Sequence, residues 1–126
     1  MNANKLNKRI QEAEEGDVYA QLLLGFNYLS GVDEIPANDK EAFKWFQAAA
    51  EQGLADAQFN LGICYAKGEG IKQDYKEAYY WYLISYRNGY TDAEQYVTRI
   101  KNILTDQQKQ EVQDRVNEWF RTHPDE

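Results

Sequence analysis

One cysteine, Cys64, and one histidine, His123, are the residues whose chemistry could make a nucleophile and its base. Cys64 falls in the middle of a helical pattern. His123 stands in the tail His123-Pro124-Asp125-Glu126, where proline stops a helix. Nothing in the spacing turns one toward the other, so no Cys–His catalysis is expected. A tetrahedral metal site needs more ligands than one His and one distant Cys. The acidic groups Glu12/Glu14/Glu15/Asp17 and Asp33/Glu34 could attract calcium, but neither has the Asp-x-Asp-x-Asp-Gly spacing of a calcium loop, and both read as solvated surface. Gly68-Glu69-Gly70 is too short to cradle a phosphate and reads as a turn. The expectation is a non-enzymatic chain without cofactor or metal.

The elements that would carry any binding residues follow from composition and period. With 126 residues there is room for one domain. The mean hydropathy of −0.81 reflects many Gln, Asn, Glu and Lys. Disorder is not expected, because 3 Trp, 10 Tyr and 5 Phe are spread along the chain. The apolar stretch Leu22-Leu23-Leu24-Gly25-Phe26 is far short of a membrane span. The opening residues show no signal-peptide pattern, and a lone cysteine excludes an internal disulfide, so a cytoplasmic location is expected. A net charge of −7 argues against nucleic acid or an anionic membrane as partner. Residues 1–60 hold 5 basic and 10 acidic groups, so the N-terminal half is the more acidic.

The chain repeats. Ala20, Gln21, Leu24, Gly25, Tyr28 and Gly31 recur as Ala57, Gln58, Leu61, Gly62, Tyr65 and Gly68, an offset of 37. After the following loop the offset is 36, through Lys40-Glu41-Ala42/Lys76-Glu77-Ala78, Trp45/Trp81, Phe46/Tyr82 and Gly53/Gly89. Ala20, Leu24 and Tyr28 form a stripe at helical spacing, which predicts a first helix (A) in each unit. Ala42, Trp45, Phe46 and Ala49 mark the buried face of a second helix (B), mirrored by Ala78, Trp81, Tyr82 and Ser85. Glycines close both. The expected organisation is a half unit at 4–16, full units at 17–53 and 54–89, a partial unit at 90–103, and a capping helix at 105–121. Thr105 and Gln108 have capping-box spacing, and Val112, Val116, Trp119 and Phe120 share one face of that last helix. Gly25 and Gly62 stand inside helices, where glycine costs roughly 1 kcal/mol relative to Ala. A close packing partner is therefore expected at both, with Trp45 and Trp81 as the matching bulky groups.

Ala-x3-Leu-Gly-x2-Tyr-x2-Gly, then Lys-x-Ala-x2-Trp-aromatic, resembles the Sel-one-like repeat, a relative of the tetratricopeptide repeat. The resemblance implies an all-α solenoid, a right-handed superhelix of antiparallel helix pairs with about seven helices here. It also implies an adaptor or scaffold role. Cysteine-rich members act on cell-wall-type ligands, and this chain lacks their paired cysteines.

A repeat's binding surface is built from positions the repeat does not need. In the A helices these are Tyr19, Leu23, Phe26 and Asn27; Asp56, Asn60, Ile63 and Lys67; and Tyr96 and Arg99. In tetratricopeptide-like superhelices the A helices line the concave face, so a partner-binding groove is expected there. Tyr19, Leu23 and Phe26 either belong to that groove or are covered by helix 4–15. A second candidate lies on helix 74–88, where Tyr80, Leu83 and Tyr86 replace Lys44, Gln47 and Ala50 of the first unit. These either receive the capping helix or form a homodimer or docking face. The leading functional expectation is a protein-interaction module, bacterial from its brevity, holding a partner peptide or protein. The alternatives are an immunity-type protein that neutralises a toxic enzyme, and an enzyme or binder acting on cell-wall saccharide.

Overall fold

The computed structural model describes residues 1–32 and 35–124. Its described residues form seven helices: α1 (Ala3–Glu14), α2 (Val18–Ser30), α3 (Asp39–Glu51), α4 (Ala55–Lys67), α5 (Tyr75–Arg87), α6 (Ala93–Lys101) and α7 (Asp106–Thr122). Helices α2 to α5 have 13 residues each, as a repeated hairpin requires. From α1 to α6 each helix packs on the next in sequence, and α7 turns back onto α5. The result is an all-α solenoid. Asp33, Glu34, Asp125 and Glu126 lie outside the described residues.

Local chemistry explains where the helices start and stop. Asn2, Asp17, Asn38 and Asp74 accept backbone N–H bonds with their side chains at the starts of α1, α2, α3 and α5. At the ends of α2 and α4 the chain turns through Gly31 and Gly68, at φ 71° and 73°, which only glycine adopts cheaply. The two A–B loops close with the same bond. The Asn38 amide donates to the Tyr28 carbonyl at 2.7 Å, and the Asp74 amide to the Tyr65 carbonyl at 2.9 Å. One loop spans a residue more than the other, which is where the offset slips. At α7 the capping box forms: the Thr105 hydroxyl accepts from the Gln108 amide at 3.1 Å, and Gln108 Oε1 accepts from the Thr105 amide at 2.9 Å.

Inside, the repeated small residues admit rings. A Cβ on Gly62 would lie 2.6 Å from Tyr82 Cδ1, and one on Gly25 would strike the Phe46 ring. The expected tryptophan partners are thus corrected to their neighbours. Trp45 turns one residue further round the helix and joins Ala13, Ala20 and Leu24, where α1 meets the first unit, with Leu6 and Ile10 packed against them.

The repeated glutamines also have a structural role. Gln21 donates to the Ala13 carbonyl at 3.0 Å, and Gln58 to the Ala50 carbonyl at 3.1 Å. Each accepts in turn from the end of its own B helix, from Gln52 at 2.9 Å and Asn88 at 2.9 Å. Both full units are thereby tied to the one before by a buried, satisfied amide.

Candidate partner-binding groove

The outward arc of the A helices divides into two parts. On α2, Tyr19, Leu23 and Phe26 are 64%, 44% and 40% exposed. Helix α1 does not cover them, because its apolar residues are spent on the Trp45 cluster. The Phe26 ring meets Phe46 edge-on at 5.2 Å between centroids and shows its other side to solvent. Asn27 is held by α1, since Arg9 Nη1 donates to its Oδ1 at 2.7 Å. That residue is a strut between α1 and α2.

On α4 and α6 the predicted residues converge. Ile63, Lys67, Tyr96 and Arg99 line one cavity of about 220 Å³, completed by Ala66, Tyr75, Tyr82, Ile100 and Ile103. Asp56 and Asn60 do not join it; the Asn60 amide donates back to the Asp56 carbonyl at 2.8 Å. Tyr96 is fixed by an edge contact with Phe59 at 4.8 Å, and Phe59 stacks on Tyr90 at 4.7 Å. The Arg99 guanidinium lies 5.5 Å from the Tyr96 ring. Ile103, in the position of Lys67 and Ser30 one and two units earlier, is 58% exposed at the rim. Its outward position was readable from the repeat. Tyr75 was not, because it enters from the start of a B helix.

Burial dominates the titrating groups around this cavity. The Cys64 thiol is pushed up to about 12, first by burial and then by Glu69 and Asp39, with Lys67 opposing. It is a protonated core group at neutral pH, unsuited to nucleophilic attack. The Tyr82 hydroxyl is raised as well, mainly by burial and next by Tyr96.

The second predicted surface is largely filled. Tyr80 and Leu83 are each only 9% exposed, and Tyr86 alone reaches solvent, at 39%. Helix α7 occupies this side of α5. Val112 and Val116 are fully buried, Arg115 lies 4.1 Å above the Tyr80 ring, and its Nη1 pairs with Glu77 at 2.6 Å. Lys76 pairs with Glu111 at 2.7 Å. Of the three candidates for a homodimer face, Tyr80 and Leu83 are therefore buried on the side of α5 that receives the chain's own last helix, and Tyr86 stays exposed. His123 closes that helix, stacked on Trp119 at 4.0 Å.

Among the described residues, no group of three or more His, Cys, Asp or Glu could hold a metal ion. No described helix is long and apolar enough to cross a membrane.

A family model described as "Sel1 repeat" matches residues 18–54 and 55–90. The chain belongs to the Sel1 repeat family. It is 36% identical over 86 residues to chitin synthase regulatory factor 3 of Schizosaccharomyces pombe, covering 68% of this chain and 9% of that protein. It is 34% identical over 93 residues to DAP3-binding cell death enhancer 1 of Rattus norvegicus, covering 74% of this chain and 18% of that protein. The structure of a protective antigen from uropathogenic Escherichia coli, which displays an SLR fold, superposes with a TM-score of 0.86 at 27% identity. That match covers 92% of this chain and 25% of the antigen. This Sel1 repeat chain thus spans less than a fifth of both curated relatives.

Proposed function

We propose that the chain is a non-catalytic adaptor module that holds a segment of a partner protein against the outer arc of its A helices. The observation that carries this reading is the exposure of Tyr19, Leu23 and Phe26 on the same arc that lines the α4–α6 cavity. These groups sit at positions the repeat leaves unconstrained, so their apolar character is not a demand of the fold. A contiguous exposed apolar surface on a soluble domain marks an interaction site. The rat relative is named for binding another protein and the yeast relative for regulation, which supports the same class of role.

The test compares intact wild-type chain with two variants in affinity capture from a native extract: Leu23→Ser/Phe26→Ser on α2, and Ile63→Ser/Ile103→Ser at the cavity. Circular dichroism and melting first establish that the variants are folded. A protein retained by wild type and lost by either variant is expected. Equal retention by all three would refute the reading.

A further inference from the structure

We infer that the cavity between α4, α5 and α6 takes one bulky apolar side chain from a partner segment that carries acidic residues on both sides of it. This rests on the A-helix arc being the binding surface and names what part of it binds. The walls supply the first requirement: Ile63, Ile100, Ile103 and the Tyr96 ring enclose about 220 Å³ of apolar space, room for one large side chain. At the position of the first unit's Phe26, whose ring rests on Phe46, the second unit has the smaller Ile63, which lines the cavity with Tyr82.

Charge supplies the second requirement. The chain carries −7 overall, yet no carboxylate lines this cavity. Two cations do, and they come from opposite walls, Lys67 from α4 and Arg99 from α6. Neither is in an ion pair among the described residues, whereas Lys76, Arg115 and Arg121 each have a carboxylate partner. A segment crossing from α4 to α6 passes one cation before its apolar residue enters the cavity and another after. A third observation points to a ligand. Tyr82 lines the cavity at 2% exposure, and its hydroxyl makes no hydrogen bond among the described residues. No polar side-chain atom among the described residues is both buried and without a partner, so this hydroxyl reaches the open cavity, where it can donate to a carbonyl of the incoming segment.

The test is an array of 12-residue synthetic peptides with a central Leu, Phe or Trp, flanked by Glu, Ser or Lys in all combinations. It is probed with the full chain, with Lys67→Glu/Arg99→Glu, and with Leu23→Ser/Phe26→Ser. Wild type should bind Glu-flanked peptides at least tenfold more tightly than Lys-flanked ones. The charge-reversed variant should invert that preference, and the α2 variant should keep it. Binding that ignores flanking charge, or a preference that survives charge reversal, overturns the proposal. Loss only in the α2 variant, whatever the flanks, overturns the cavity assignment while leaving the adaptor reading intact; no binding by any chain overturns the proposal. Sedimentation of Ile103→Asp against wild type adds the remaining occupant. A wild-type dimer that this variant dissociates would assign the cavity to a second copy instead.

Discussion

Replacing Gly62 by alanine tests the close approach that lets one helix pair nest in the next. Helix propensity alone favours the change by about 1 kcal/mol. Against it stands Tyr82. The added carbon would lie 2.6 Å from Cδ1 and 2.7 Å from Cε1, where carbon atoms settle at about 3.5–4.0 Å. The ring must therefore move by about an ångström, against the rings packed on it. Tyr82 is 2% exposed, with the Phe59 and Tyr96 rings at 5.8 Å and 5.5 Å. Overpacking a core costs about 1–3 kcal/mol, and a rigid ring puts this site toward the upper end. Subtracting the propensity gain leaves a net loss of about 1–2 kcal/mol. For a chain of this length that lowers Tm by about 4–8 °C. Urea and thermal unfolding followed by circular dichroism measure it. A double-mutant cycle with Tyr82→Leu isolates the cause, because removing the ring should recover about 1 kcal/mol or more of the loss. A more stable Gly62→Ala chain, or a cycle that closes additively, would refute the packing argument.

Further expectations follow from other named contacts. Gln58→Leu leaves the Ala50 carbonyl and the Asn88 amide without their partner, so urea unfolding should show a loss of about 1–3 kcal/mol. Thr105→Ala removes the hydroxyl half of the α7 capping box and should cost about 1 kcal/mol, with faster amide exchange in the first turn of α7. Cys64 is buried, with its thiol raised to about 12, so a disulfide reagent at pH 8 should modify it far more slowly in the native chain than in urea. Rapid native labelling would contradict the packing of α4.

Those contacts divide into ones the sequence made legible and ones it did not. Glycines returning at a near-constant interval announced the helix ends, and the Thr105/Gln108 spacing announced the cap of α7. Both are local signals, decided by a few adjacent residues. The identity of the rings against Gly25 and Gly62 was not legible. Trp45 and Phe46 are adjacent, so they differ by about 100° around the helix, and the choice between them depends on how α3 is rotated against α2. Gln21 and Gln58 were visible as an identity between units, but their role needed carbonyls on the preceding B helix. Whether Tyr80 and Leu83 faced solvent depended on the return of α7 to α5, a contact between segments some 30 residues apart. At the candidate site, the A-helix periodicity brought Ile63, Lys67, Tyr96 and Arg99 to one arc. Tyr75 escaped it, as did the strut between Arg9 and Asn27, because both come from outside that periodicity.

The end of the array and the location of the cavity have one cause. Gly25 and Gly62 each admit a ring from the B helix that follows, Phe46 or Tyr82. The third unit has Thr98 at this place, exposed, with its hydroxyl donating to the Glu94 carbonyl at 3.1 Å. A β-branched side chain there fills the space a ring would need, so a further B helix has no seat on α6. The next helix, α7, is sent back to the aromatic side of α5, where Tyr80 and Leu83 receive Val112 and Val116. That return leaves the C-terminal end of α6 uncovered, and Ile103 stays 58% exposed beside the opening between α4 and α6. The residue that denies a further B helix its seat therefore also leaves this cleft open to solvent.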